Sequence, residues 1–209
     1  MGQSIITRLE HRLYIKNKRN KLLNKTPTII ADNCIGGIMY HDLGLRFNTP
    51  FINIGFIGSE YVKILNNLHY YLSLTPRNTG RELEHAGVKY PIISLGDVQF
   101  IFAHETDIEL AIKKWEKRKQ RVDYDNLYVF MSDSFNTTYT DILNFDQLPY
   151  NHKVVLTHKP LPEIKSAHYL KGFEKDKEVG ILTDWKPGFW KRRYIDDFDY
   201  VSFLNKEGV

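Results

Sequence analysis

Between Thr28 and Gly37 the chain reads Thr-Ile-Ile-Ala-Asp-Asn-Cys-Ile-Gly-Gly, an apolar run that stops at Asp32-Asn33 and meets two glycines almost at once. A short apolar run closed by turn formers is a strand signal. The residues from Ile35 to Leu43, ending at Gly44, have the length and the terminator of a short helix. A strand feeding straight into a helix is half of a βα unit, and such units bury their apolar faces in layered folds. At this turn a thiol at position 34 would sit near unpaired backbone N–H groups, and Gly36 and Gly37 would let a ligand approach the main chain closely.

The rest of the chain alternates in the same manner. Thr49-Pro50 punctuates entry into a strand over 51–57, and Ser59 caps a helix in which Tyr61, Ile64, Leu65, Leu68 and Leu72 recur at helical steps. That helix stops near Thr75-Pro76, because proline disfavours helix at the preceding residue. Residues 77–89 are polar, carry two glycines and read as a loop. Residues 91–103 read as two strands joined at Gly96-Asp97. From Thr106 the period changes, and Ile108, Ala111, Ile112 and Trp115 mark the buried side of a helix running to about Arg121. Strands over 127–131 and 152–157 flank a helix near 139–144, and Tyr200, Val201, Phe203 and Leu204 bury a final helix or strand. The pattern predicts an α/β fold, layered α/β/α, with a mixed, largely parallel sheet. No low-complexity stretch divides it, so residues 26–209 form a single α/β domain behind a basic helix or arm of residues 1–25.

Cys34 is the sole cysteine, which excludes an intramolecular disulfide framework and points to a reducing, cytoplasmic setting. No segment reaches the roughly 20 apolar residues of a membrane span, and no apolar leader opens the chain. The net charge of +4 is concentrated at Arg8, Arg12, Lys16, Lys18, Arg19, Lys21 and Lys25, against Glu10 alone. Ile6, Leu9, Leu13 and Ile15 fall at helical spacing in that arm, predicting an amphipathic helix that docks on the domain or lies on the anionic inner-membrane face. No groove-reading or RNA-binding motif accompanies the charge, so nucleic acid is not the expected partner. No set of histidines and carboxylates has metal-ligand spacing, and no metal is expected.

Four residues follow directly on strands, where ligands bind in such sheets: Cys34, His104, Asp133 and His158. Cys34 is either a packed core thiol or, at its strand-to-helix turn, a nucleophile with an oxyanion hole of backbone N–H groups. His41 lies roughly 10 Å along the helix, too far to act as its base. His104 and His158 are better placed, with Asp133 to orient a histidine, bind a ribose hydroxyl or cap a helix. Lys114, Arg118 and Arg121, at i, i+4 and i+7, present one cationic helix face that is either solvated or holds a diphosphate. Trp115 belongs to the apolar side. The closing Asp184 to Tyr194 stretch mixes aromatics and cations, as sugar or phosphate sites and packing loops both do.

Taken together, Asn33-Cys34-x-Gly36-Gly37, Tyr40-x-Asp42-Leu43-Gly44, Asn48-Thr49-Pro50, the Lys114-Trp115-x-x-Arg118-x-x-Arg121 row and the strand ending at Asp133 resemble a bacterial domain family of unknown function. That family is often labelled exopolysaccharide biosynthesis protein. The resemblance covers roughly residues 26–160 and implies an α/β fold in the context of capsule or other surface glycans. The turn is also similar to the Gly-Asn-Cys-Gln turn of capsule acetyltransferases, although here Asp32 precedes Asn33 and Ile35 replaces the glutamine. The resulting expectation is a transferase of surface-polysaccharide assembly acting on a small-molecule or glycan substrate, most concretely an O-acyltransferase. Cys34 would be nucleophile or oxyanion-site residue and His104 or His158 the base. Asn33, Gly36, Gly37, Tyr40, Asp42, Lys114, Arg118 and Arg121 would bind substrate and the phosphates of an acyl-CoA donor. The alternatives are a nucleotide-sugar-dependent glycosyl- or glycerophosphate-type transferase, and a non-catalytic module tethered to the membrane through residues 1–25.

Overall fold

The computed structural model describes residues 5–85, 87–105, 107–187 and 192–206. Helix α1 (Ile5–Lys21) precedes strand β1 (Thr28–Ala31) and helix α2 (Ile35–Leu43). Strand β2 (Ile54–Gly55) and helices α3 (Gly58–Asn66) and α4 (Leu68–Ser73) come next. They lead into strands β3 (Arg77–His85), β4 (Val88–Leu95) and β5 (Val98–Phe102) and helix α5 (Ile108–Lys119). The chain closes through β6 (Leu127–Ser132), α6 (Tyr139–Asp146), β7 (Lys153–Thr157), β8 (Ala167–Tyr169) and α7 (Tyr200–Leu204).

Strands β1-β6-β7-β8, in that order, form a parallel sheet, and β2-β5-β4-β3 form an antiparallel one. Alternation along the parallel strands decides which layer each side chain enters. Ile30, Val129, Met131 and Val155 enter a core shared with α3, α5, α6 and the antiparallel sheet. Ile29, Ala31, Tyr128, Phe130, Val154 and Leu156 enter a second core under α2 and the C-terminal segment. Burial on both faces is why these strands read as unbroken apolar runs. The fold is α/β, with the antiparallel strands forming a sheet of their own instead of extending the parallel one. The two sheets are stitched where the Phe56 N–H donates to the Asp32 carbonyl at 2.9 Å.

Residues 77–89, read from sequence as a loop, are mostly strand: β3 and the start of β4 form a long hairpin whose described outer residues are largely exposed. With little apolar surface to bury there, the sequence carries no period-two signal, and Gly80 and Gly87 (φ 71° and 75°) serve a register shift and the turn. The strand expected over 51–57 contracts to β2, and the helix expected to run to near Thr75-Pro76 breaks at Asn67, where φ is −143°. Its N-cap is Ile57 and not Ser59.

The apolar stripe expected on α1 divides, with Ile15 packed inward and Leu9 and Leu13 turned outward. Ile15, Lys18 and Leu22 are buried, with His11 and Tyr14 half-buried, whereas Leu9 and Leu13 are 53% and 67% exposed. Polar anchors choose this face. Lys18 Nζ pairs with Asp196 at 3.0 Å, and the Arg19 guanidinium donates to the carbonyls of Asp42 and His41 at the end of α2. The Ile6 side chain, Thr106, and residues 188–191 of the aromatic and cationic closing stretch lie outside the described residues.

Candidate functional site at the carboxyl ends of the parallel strands

Strands β1, β6 and β7 are neighbours in the parallel sheet, so the residues just past their ends converge. After β1 come Asp32, Asn33 and Cys34; β6 ends at Ser132, with Asp133 and Ser134 beyond; after β7 comes His158. Asp32 ties the first two ends together. Its Oδ2 accepts from the Ser132 N–H at 2.9 Å and from Ser132 Oγ at 3.0 Å. Asn33 Nδ2 donates to the same Ser132 hydroxyl at 2.9 Å, while Asn33 Oδ1 accepts from the Ile35 N–H at 3.0 Å. Asn33 therefore takes over capping at the start of α2, where the Cys34 thiol makes no cap hydrogen bond.

Burial dominates the ionisation of both acids at this turn. It pushes the Asp32 carboxyl up to about 7, against the Ser132 hydrogen bonds and with help from the nearby Asp133 charge. The Asp32 Oδ1 atom is buried and has no hydrogen-bond partner among the described residues. Burial, and then the Asp32 charge, push the Cys34 thiol up to about 11. The resting thiol is thus protonated, and any nucleophilic role requires a base in the reaction itself.

Beyond Cys34 opens a cavity of about 550 Å³. One side runs along α2, from Cys34 at its N-cap through Gly37 and Ile38 to His41 in its last turn; the other brings His104 and Glu105 from beyond β5 and Lys114 and Arg118 from α5. Lys114 Nζ is paired with Glu105 at 2.9 Å. Arg118 is half-buried, lies 5.0 Å from the centroid of the Phe47 ring, and makes no hydrogen bond or ion pair among the described residues. Burial, aided by the Arg121 charge and opposed by that of Glu105, lowers its pKa. Arg121 lines neither this cavity nor the smaller one beside it; its Nη1 donates to the Phe47 carbonyl at 2.9 Å and so fixes the residue beneath Arg118. Asn53, with φ 58°, and Arg193 complete the wall.

The remaining sequence candidates divide clearly. Gly37 borders the large cavity, but Gly36 is buried, and an added Cβ there would lie 3.2 Å from Ala31 Cβ, so its smallness serves helix-on-strand packing. Tyr40 is fully buried, donates to the Pro27 carbonyl at 2.8 Å and accepts from the Ile29 N–H at 2.9 Å, bracing the start of β1. Asp42 borders the cavity while holding Arg193 and Tyr200 Oη. Asp133 and His158 form a dyad: Oδ2 meets His158 Nδ1 at 2.6 Å and accepts the His158 N–H at 2.8 Å. His158 lines neither of the two cavities at Cys34, so His104 is the candidate base placed with Cys34.

A smaller cavity of about 280 Å³ shares Cys34, Ile38 and Thr183 with the large one and adds Ser134, Phe135 and residues 178–182. Asp133 Oδ1 accepts from the Val179 N–H at 2.9 Å and so anchors that wall. Phe135 and Asn136 both sit at positive φ, 52° and 59°. For an aromatic residue such backbone costs on the order of 1 to 3 kcal/mol and persists only where the surroundings impose it. Asp32, Ser132, Ser134, Phe47 and Phe135 were not among the sequence candidates, and Arg193 was covered only as part of the closing aromatic and cationic stretch. Of these, Asp32 alone carried a signal, as the charged residue closing an apolar strand.

The model of a domain of unknown function, DUF1919, matches residues 5–205. The chain belongs to the DUF1919 family. The match takes in α1 and the C-terminal segment with Arg193 as well as the turn at Cys34, so the family domain extends well past the motif-bearing residues 26–160. The chain is also similar to an uncharacterized protein of Haemophilus influenzae, 36% identical over 203 residues, covering 97% of this chain and 96% of the relative. Among the described residues of this DUF1919 domain no three His, Cys, Asp or Glu side chains cluster as a metal site requires.

Proposed function

We propose that this protein is a cytoplasmic transferase of bacterial surface-polysaccharide assembly that takes a phosphate-bearing activated donor in the cavity at the start of α2. Arg118 carries the reading. A half-buried guanidinium that faces a cavity with no direct acceptor among the described residues, and with Glu105 acting on it only through space, is costly, and a phosphate offers it the bidentate acceptor that the protein does not. Gly37, in the first turn of α2, adds an N–H with no helical acceptor at the same cavity. The glycan context rests on the resemblance of the Asn-Cys-x-Gly-Gly turn and the Lys-Trp-x-x-Arg-x-x-Arg row to the family labelled for exopolysaccharide biosynthesis.

Within this class, O-acyl transfer is favoured because Cys34 and His104 border one cavity. His104 would take the thiol proton as Sγ attacks the donor thioester; the carbonyl-to-carrier C–S bond breaks, and the carrier thiolate leaves with that proton. A glycan hydroxyl would then displace the acyl group from Sγ, giving its proton to His104, which returns it to the thiol. The raised thiol pKa favours a second reading, in which the donor is a nucleotide sugar and Cys34 is packing only.

Titration calorimetry with acetyl-CoA and with UDP-linked sugars separates the two. Arg118→Ala should weaken the donor that binds by about tenfold to a hundredfold, the worth of a charge-assisted hydrogen bond. Intact mass after incubation with acetyl-CoA should show an acetyl adduct that Cys34→Ala abolishes. Binding of UDP-sugar with no adduct would select the second reading, and no binding of either donor class would sink the proposal.

A further inference from the structure

We infer that the outward face of α1 is a docking surface for an anionic lipid bilayer. This is independent of the transferase reading and rests on the helix alone. At 100° per residue, Leu9 and Leu13 point nearly opposite the buried line of Ile15, Lys18 and Leu22. Leu13 at 67% exposure and Leu9 at 53% are among the most exposed large apolar side chains described, and they are one turn apart. Beside them run Lys16 and Arg12, with Arg8 further round toward the buried line, all three exposed, while the single acid of the helix, Glu10, lies on the other flank. Two leucines with a flank of three cations match an interfacial helix: the apolar side chains enter the acyl boundary and the cations meet lipid phosphates.

The rest of the structure fixes this face outward. Lys18, which belongs to the same basic stretch, is turned inward onto Asp196, and Arg19 is spent on the last carbonyls of α2. The helix cannot roll to hide its leucines without breaking those contacts. Because α1 is clamped to the helix that begins at Cys34, a bilayer held on α1 is held at a fixed distance from the cavity. No helix among the described residues is long and apolar enough to cross a membrane, so contact through α1 would be peripheral.

The test is co-sedimentation of the full chain with vesicles of phosphatidylcholine alone and with vesicles of phosphatidylcholine mixed with phosphatidylglycerol. The protein should partition to the mixed vesicles, stay in solution with the neutral ones, and be released by salt. Each cation near an anionic surface is worth about fivefold in partitioning, so the triple variant Arg8→Gln, Arg12→Gln, Lys16→Gln should lose more than tenfold. Leu9→Gln with Leu13→Gln should also lose binding while keeping its charge. Both variants change exposed side chains only, and unchanged melting temperatures would verify the fold. Absence from the mixed vesicles, or retention by the triple variant, would overturn the proposal. So would a wild-type dimer that the leucine variant dissociates, since the face would then belong to a second copy of the chain.

Discussion

Arg193→Ala should lower the unfolding free energy by about 3 to 5 kcal/mol, the cost of leaving buried charges without their partner. Arg193 is 7% exposed and is the hub of a network that spans the chain. Its Nη2 donates to Asp42, in the last turn of α2, and to Asp196 at 3.0 Å, while its Nε reaches Asp196 at 3.1 Å. Lys18 of α1 completes the set through Asp196 and lies 3.6 Å from the centroid of the Tyr200 ring. Removing the guanidinium leaves Asp42 with Tyr200 Oη as its remaining side-chain donor among the described residues. Arg193→Lys should fall between, because one ammonium cannot reproduce the planar fork that bridges two carboxylates. Adding Asp42→Leu to Arg193→Ala should return part of the loss by removing the orphaned charge.

The same network sets an acid limit. Burial pushes Asp196 up, but Arg193 and Lys18 outweigh it and hold the carboxyl below its ordinary value. A depressed carboxylate stabilises above its unfolded pKa of 3.8 and loses that contribution as pH falls through its folded value. Without Arg193 the carboxyl is less depressed, so this group's acid-side loss should be smaller. Urea denaturation of the variants at neutral pH measures the main effect. A change for Arg193→Ala within about 0.5 kcal/mol, the ordinary range of surface substitutions, would mean the network is solvated and holds nothing.

None of this network could be read locally. Arg193 and Asp42 are 151 residues apart, and an arginine in a basic, aromatic stretch looks like many others. What could be read were the segments whose own chemistry settles their form. β1, β6 and β7 are buried on both sides and appear as apolar runs; α2 ends at Gly44, whose φ of 68° satisfies the turn the helix needs. The β3–β4 hairpin was hidden because it buries too little to impose alternation. α1 misled in part because, of its visible apolar residues, Ile15 packs while Leu9 and Leu13 do not. The cationic row of α5 was legible as spacing, yet its members part company: Lys114 and Arg118 border the cavity, whereas Arg121 reaches the Phe47 carbonyl. Strand order did the remaining work, bringing Cys34, Asp133 and His158 to one sheet end and drawing His104 in from the other sheet.

Asp32→Asn should change the pH dependence of stability more than its level at any one pH. Asp32 is 3% exposed, and its carboxyl is held at about 7 against an ordinary value of 3.8. A raised carboxyl pKa means that the folded state prefers the neutral acid. Its favourable contribution is therefore complete below pH 3.8 and is withdrawn as pH rises through about 7. Across that window the withdrawal is on the order of 4 kcal/mol, and asparagine, which does not titrate, escapes it. Asparagine also keeps an acceptor for the Ser132 N–H and hydroxyl, so the tie between the ends of β1 and β6 survives, although its amide puts two donors where Oδ1 has no partner. The variant should therefore be less stable than the wild type near pH 4 and gain on it steadily toward pH 8, where the wild type buries an anion. Since the Asp32 charge also pushes the Cys34 thiol upward, the thiol should alkylate at lower pH in the variant. Paired urea titrations across this range decide the point: a stability difference that stays constant with pH would show that Asp32 is ionised throughout and that some donor meets Oδ1.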